Sequence, residues 1–199
     1  MVIANGLKAM PCANINPPAT GVILAGGKSS RMGPNKALLH YKNKRLIEHA
    51  SDLFLLAGLT DVIVSGNIGG YFCIQDITPN QGPLGGVYSV MQHMDDSPKK
   101  LIFIPVDMPL LTVNIVSTLL RSVQDFDAAF YSNSPLPLAL NFNQNIKAIL
   151  YKLMKENLQG VSVKVFLSNL RCATPIISEK HAFSLKNINT KTDFSRLPD

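Results

Sequence analysis

The sequence predicts an α/β domain built on a mostly parallel sheet. Three observations carry that expectation. Short β-rich apolar runs alternate with longer segments of helical period. One run, "LIFIPV" (101–106), is apolar throughout, as a central strand buried on both faces must be. The first strand-like run passes directly into glycines. Alternation of this kind implies right-handed crossovers. The 199 residues show no internal repeat and no dividing linker, so one domain over 21–199 is expected behind an irregular leader over 1–20.

The leader holds Pro11, Pro17 and Pro18 and has neither a basic n-region nor a continuous apolar stretch, which argues against a signal peptide. "GVILA" (21–25) reads as the first buried strand. Leu46, Ile47, Ala50, Leu53, Phe54 and Ala57 then lie at helical spacing, with Gly58 closing the helix. "DVIVSG" (61–66) and "YFCIQD" (71–76) read as strands. Leu84, Val87, Val90, Met91 and Met94 mark one helix face. Thr112 is placed to cap a helix that buries Ile115, Val116, Leu119, Leu120 and Val123. "DAAFYS" and "PLPLALNF" read as a strand pair whose antiparallel pairing would make the sheet mixed. Helices over 144–158 and 161–170 follow, and "CATPIIS" and "NINTKTDF" close the chain.

Composition narrows the function. Hydrophobic residues make up 46% and charged residues 16%, the balance of a soluble globular chain. The net charge of +6 is scattered, without the clustering or interleaved aromatics of a nucleic-acid track, so small anions are the expected partners and nucleic acid is not. No apolar run approaches the ~20 residues of a membrane helix. Cys12, Cys73 and Cys172 match neither a zinc spacing nor a disulfide framework; they read as small apolar residues in a reducing cytoplasm. His40, His49, His93 and His181 share no spacing and receive no catalytic role.

The stretch with chemistry in it is "GVILAGGKSSRMGPNKALL" (21–39). Gly27-Lys28-Ser29 suggests a P-loop, but the first glycine of that pattern would fall at Val22; the dinucleotide pattern fails too, because Gly26 and Gly27 are adjacent. A different anion site fits. The loop leaves the carboxyl end of a strand, where open α/β sheets bind ligands. Gly26 and Gly27 let a base and phosphates approach the backbone, whose N–H groups can form an anion nest. Arg31 and Lys36 add a fork and a mobile point charge.

These residues resemble the signature L-A-G-G-x-S-x-R-M-G-x-D-K-x-L of nucleotidyltransferases with a glycosyltransferase-A-like fold, most of all the molybdenum cofactor guanylyltransferases. Three later segments agree in order: "QGPLGGV" (81–87), "PVDMPLL" (105–111) and "NINTKTDF" (187–194), similar to G-P-L-x-G, C-D-x-P and N-x-N-T-P-x-D. The resemblance implies a Rossmann-like three-layer α/β/α sandwich of the nucleotide-diphospho-sugar transferase type. It further implies transfer of GMP from GTP to the terminal phosphate of molybdenum-molybdopterin with release of pyrophosphate, dependence on Mg²⁺, and protein partners for hand-over of the product. A CTP-dependent enzyme on molybdopterin, a sugar-phosphate nucleotidyltransferase and a non-catalytic nucleotide-binding relative are the alternatives.

Residue by residue, the resemblance makes Asp107 the metal ligand and nucleotide contact, which suits a hard carboxylate emerging beside the glycine loop. It places Lys36 on the phosphates, Arg31 on the β/γ-phosphates, and the backbone of Leu24, Ala25, Gly26 and Gly27 against the base. Ser65, Asp76, Gly82, Pro83 and Leu84 fall on the nucleotide side, and Asn187 and Asn189 on the acceptor side, with Asn189 a second metal ligand. Read alone, Asn189 is equally a loop cap. The chain departs from the family pattern at Asn35 (for Asp), Ser65 (commonly Asn), Val106 (for Cys) and Lys191 (for Pro), and near 161–164, where Lys164 is the cation in place of an Arg pair. Reading L-A-G-G rather than L-A-A-G removes a methyl and makes room for a purine.

Overall fold

The computed structural model describes residues 19–26, 35–157 and 160–197. Gly27, Arg31, Cys12 and most of the expected leader lie outside the described residues. β1 (Ala19–Leu24) starts slightly ahead of the expected Gly21, because Ala19 and Thr20 extend its parallel pairing with Lys100 and Leu101 of the central strand. A short 3-10 turn (Lys36–Leu38) then leads into a small hairpin, β2 (His40–Tyr41) and β3 (Lys44–Arg45), absent from the sequence expectation. Strands of two residues carry no readable alternation. Lys42 and Asn43 between them both take positive φ (46° and 63°), as tight hairpin turns require.

From there the chain alternates as expected. α1 (Leu46–Leu56) is followed by β4 (Val62–Ser65), β5 (Cys73–Ile74) and α2 (Gly82–His93). Next come β6 (Lys99–Pro105), α3 (Val113–Ser122), β7 (Ala128–Tyr131) and β8 (Ser134–Phe142). α4 (Gln144–Glu156), α5 (Val163–Leu167), β9 (Cys172–Ala173), α6 (Glu179–Ala182), a second 3-10 turn (Phe183–Leu185) and α7 (Lys191–Ser195) complete the described elements. Thr112 caps α3 as foreseen, its hydroxyl accepting the Ile115 N–H. β5 and β9 are shorter than "YFCIQD" and "CATPIIS" suggested; each is an edge strand paired on one side only. Cys73 and Cys172 are half-buried free thiols rather than core residues, and Cys73 Sγ accepts the Ile68 N–H at 3.3 Å.

The sheet order is β5-β4-β1-β6-β8-β7-β9, and β8 alone runs against the other strands. The sheet is therefore mixed but mostly parallel. Side-chain alternation on the two central strands builds both cores. Ile23, Ile102 and Ile104 pack with α1 and α3 on one face. Val22, Leu24, Leu101 and Phe103 pack with α2, α4 and α5 on the other. Helices on both faces make three layers. Among the described residues no helix is long and apolar enough to cross a membrane.

This winding positions the site. From β1 the chain moves outward to β4 and β5, then returns to the other flank of β1 as β6. The direction of winding thus reverses between β1 and β6, and in open α/β sheets the crevice that takes a ligand lies at the carboxyl ends of strands so arranged.

Candidate active site

Three strand ends are tied together at that crevice. Leu24 O accepts the Val106 N–H at 3.1 Å, and the Ala25 N–H donates to Ser65 O at 2.9 Å. The start of the glycine loop is therefore clamped between the exits of β4 and β6, and Asp107 leaves β6 beside it. The Leu24–Gly26 turn and the Asp107 carboxylate share one edge of the sheet.

Charge converges here from three distant parts of the chain. Lys36 stands at the start of the 3-10 turn that Asn35 caps, Asn35 Oδ1 accepting the Ala37 N–H at 3.1 Å. Lys36 Nζ donates to Asp107 Oδ2 at 2.8 Å and to Asn189 Oδ1 at 3.2 Å. Both charged side chains are only 17% exposed. Asp107 Oδ1 is buried and has no hydrogen-bond partner among the described residues. The backbone closes the same circuit: the Ile188 N–H donates to Asp107 O at 2.9 Å, drawing the segment that carries Asn189 against the end of β6. An ammonium, a carboxylate with one oxygen unpartnered and an amide oxygen make a site able to hold a hard cation and a polyanion together.

A second group of residues lies on the β4 side. Asp76 follows β5 and turns its carboxylate toward the glycine loop; a Cβ at Gly26 would sit 3.3 Å from Asp76 Oδ2. Ser65 Oγ is 3.5 Å from Asp76 Oδ1, the outer limit of a hydrogen bond. Burial raises the Asp76 pKa above the ordinary carboxylate value, and the Ser65 hydroxyl pulls it partly back. The first turn of α2 closes in from below. A Cβ at Gly86 would meet Ser65 Oγ at 2.5 Å, so the helix approaches Ser65 this closely only with glycine there.

The structure thus brings together Lys36, Asp107 and Asn189 in one cluster, and Leu24, Ala25, Gly26, Ser65 and Asp76 around the loop. Gly82 and Pro83 are exposed at the start of α2, whereas Leu84 points into the core beside Leu24. Asn187 is exposed next to the Ile188 clip, and Lys164 is exposed on α5. Gly27 and Arg31 lie outside the described residues. Sequence reasoning missed Asn35, read only as a lost charge, although a polar residue just before a helical turn is a capping signal. It also missed Gly86 and the Ile188 clip. A backbone contact between segments so far apart has no local signal.

Comparison with known proteins identifies the family. The family profile described as "MobA-like NTP transferase domain" matches residues 21–163. The molybdenum cofactor guanylyltransferase of Xanthomonas euvesicatoria is 37% identical, over 90% of this chain and 94% of its own length. A probable molybdenum cofactor guanylyltransferase of Carboxydothermus hydrogenoformans is 33% identical, over 89% and 94%. Among solved structures, molybdopterin-guanine dinucleotide biosynthesis protein A from Archaeoglobus fulgidus superposes with a TM-score of 0.70 at 18% identity, over 89% of this chain and 95% of that one, a likeness of fold. The crevice between β1 and β6, the loop at its mouth and the extent of these matches agree: the chain belongs to the MobA-like NTP transferase family.

Proposed function

We propose that this protein transfers GMP from GTP to the terminal phosphate of molybdenum-molybdopterin, giving the guanine dinucleotide form of the cofactor and pyrophosphate. The observation that carries the reading is the contact of Lys36 with Asp107 and Asn189 beside the Leu24–Gly26 loop, in a chain similar along most of its length to molybdenum cofactor guanylyltransferases. An oxygen of the acceptor phosphate attacks the α-phosphorus of GTP. The bond from that phosphorus to the bridging oxygen breaks, and pyrophosphate leaves with the electron pair. Both reactants are anions, so the protein must chiefly align them and neutralise charge.

Each residue then has a task. The clamped backbone of Leu24, Ala25 and Gly26, with Gly27 beyond it, receives the base, and Lys36 with Arg31 neutralises the triphosphate. Gly82 and Pro83 border the nucleoside. Asp76 supports guanine over the other bases: its carboxylate accepts from adjacent N–H donors, which guanine offers at N1 and N2, whereas adenine and cytosine turn a ring-nitrogen acceptor toward it and uracil sets its single N–H between two carbonyls. Gly26 keeps the carboxylate clear, since a methyl there would press against it. Asn187 and Asn189 face the acceptor.

The residues present fit Mg²⁺. Asp107 Oδ1 is a buried, unpartnered hard oxygen, and Asn189 Oδ1 reaches the same ammonium that Asp107 holds. A single carboxylate suits an ion that completes its shell with substrate phosphates and water. When bound, Mg²⁺ supplies charge neutralisation on the triphosphate. A reducing cytoplasm suits the half-buried free thiols, and an unstable pterin product suits direct hand-over to a protein partner.

The test is pyrophosphate release by the purified protein with molybdopterin and each of GTP, CTP, UTP and ATP, with and without Mg²⁺. Release with GTP and Mg²⁺ alone is expected, and Gly26→Ala should erode that preference. Preferential use of CTP, turnover on a sugar 1-phosphate instead of the pterin, or no turnover with any triphosphate would each overturn the assignment.

A further inference from the structure

Asp193 has no place in the scheme above, yet both hydrogen bonds of its carboxylate point at the segment carrying Asn189. Asp193 Oδ2 accepts the Asn189 N–H at 3.1 Å and the Thr190 N–H at 2.9 Å. Its own N–H donates to Thr190 Oγ1 at 3.0 Å, so Thr190 and Asp193 form a reciprocal capping box on α7. These bonds hold the Asp193 carboxyl below the usual carboxylate range, the Thr190 bond contributing most. The bond to Asn189 differs from the rest, because it reaches outside the helix. It grips the main chain of Asn189, whose amide oxygen accepts from Lys36.

Two further contacts leave Asn189 little freedom once this bond is made. On its amino side, the Ile188 N–H is fixed to Asp107 O, and the Ile188 side chain is buried. On its carboxyl side, Phe194 stands edge-on to Tyr41 of β2, with ring centroids 6.5 Å apart, and joins the core under α1. Asn189 is itself exposed, so packing does not orient it. Its direction is set by backbone bonds at Ile188 and at Asp193.

We propose that Asp193 is a positioning residue of the transfer reaction: by holding the Asn189 and Thr190 N–H groups it keeps the Asn189 amide oxygen turned toward Lys36 and Asp107. This inference rests on the reading of that cluster as the transfer site. Losing a group that orients a ligating side chain typically costs about 10–100-fold in metal affinity or activity. The effect should be carried through Asn189 alone.

The test compares Asp193→Ala, Asp193→Asn, Thr190→Ala, Asn189→Ala and the double variant Asp193→Ala with Asn189→Ala, in the full chain. Asp193→Ala should lower kcat/KM for pyrophosphate release about tenfold. In the Asn189→Ala background the same change should cost less than about twofold, since a coupled pair is not additive. Asp193→Asn keeps an oxygen that can accept both N–H groups and should restore most of the activity. Thr190→Ala weakens the cap of α7 but leaves the bond to Asn189, so turnover should stay within about twofold of wild type. Full additivity overturns the proposal, as does a Thr190→Ala loss equal to that of Asp193→Ala, which would make the role one of helix stability. Amide hydrogen exchange gives a readout independent of turnover: Asn189 should exchange faster in Asp193→Ala while the β6 amides do not, and unchanged exchange at Asn189 defeats the proposal. If wild type is inert with every triphosphate, the guanylyl-transfer reading fails, while the exchange data still decide the geometry.

Discussion

β6 carries a lysine–aspartate pair at each end, and the two pairs differ in nearly every physical respect. At its start, Lys99 pairs with Asp95, four residues away; Asp95 is 69% exposed and also accepts the Ser97 hydroxyl. Those two partners, Lys99 first, hold the Asp95 carboxyl below its ordinary value. At its finish, Asp107 pairs with Lys36 across 71 residues of sequence, each only 17% exposed, and keeps a buried oxygen without a partner. The first is a local, solvated pair in which every group is satisfied. Such pairs contribute about 0–1 kcal/mol. The second removes two charges from water and leaves valence over, an arrangement that folding alone does not favour. Of two similar pairs on one strand, the incompletely satisfied one is where the proposed function puts the chemistry.

The sharpest way to break this comparison is Asp107→Ala. Turnover should fall about 10³-fold with the fold retained, and the melting temperature should drop by several degrees, because the mostly buried Lys36 ammonium loses its carboxylate partner. A collapse of Tm with residual activity would make the pair structural after all. Lys36→Gln should follow, with a loss of about 10²-fold in kcat/KM and Asp107 still in place.

Asp76 offers a test by pH. Its folded-state pKa is raised, so protonation favours the fold: that contribution is fully present below the unfolded value and is lost as pH rises through the folded one. At neutral pH the ionised carboxylate therefore costs stability, and under the proposed function it is the ionised form that would accept from guanine. GTP affinity, followed by calorimetry, should decline on acidification at a pH above that of an ordinary aspartate. Asp76→Asn should abolish this limb, weaken GTP about tenfold and raise Tm slightly at pH 7. An unchanged affinity profile would remove Asp76 from base recognition. The smallest effect belongs to the other end of β6: Asp95→Asn should leave turnover at the wild-type value and lower Tm by about 2 °C or less. Lost turnover there would erase the distinction between the two pairs.

Much of this molecule is legible in its sequence, for identifiable reasons. "LIFIPV" could only be a strand covered on both faces, and β6 is that strand. Lys36 and Asp107 stand out because they sit in patterned segments next to glycines and a strand end. What stayed hidden is non-local or very short. Nothing near Ile188 announces a bond to Asp107. The β2–β3 hairpin is too brief to alternate, and Asn35 looked like a missing charge until its side chain was seen capping the turn beneath Lys36. Lys191, read as a departure from a family proline, occupies the first position of α7, where proline is favoured because that N–H has no helical partner; the segment is a helix start, and Asp193 is its third residue.

The Ile188–Asp107 bond has a temporal consequence. Because the cluster joins residues 36, 107 and 189, the loop and the carboxylate exist on a growing chain well before the amide that faces them. On a polypeptide still emerging from the ribosome, Lys36 and Asp107 are present without Asn189, so the cluster closes only after the last segment of the chain has been made and Ile188 has bonded to Asp107.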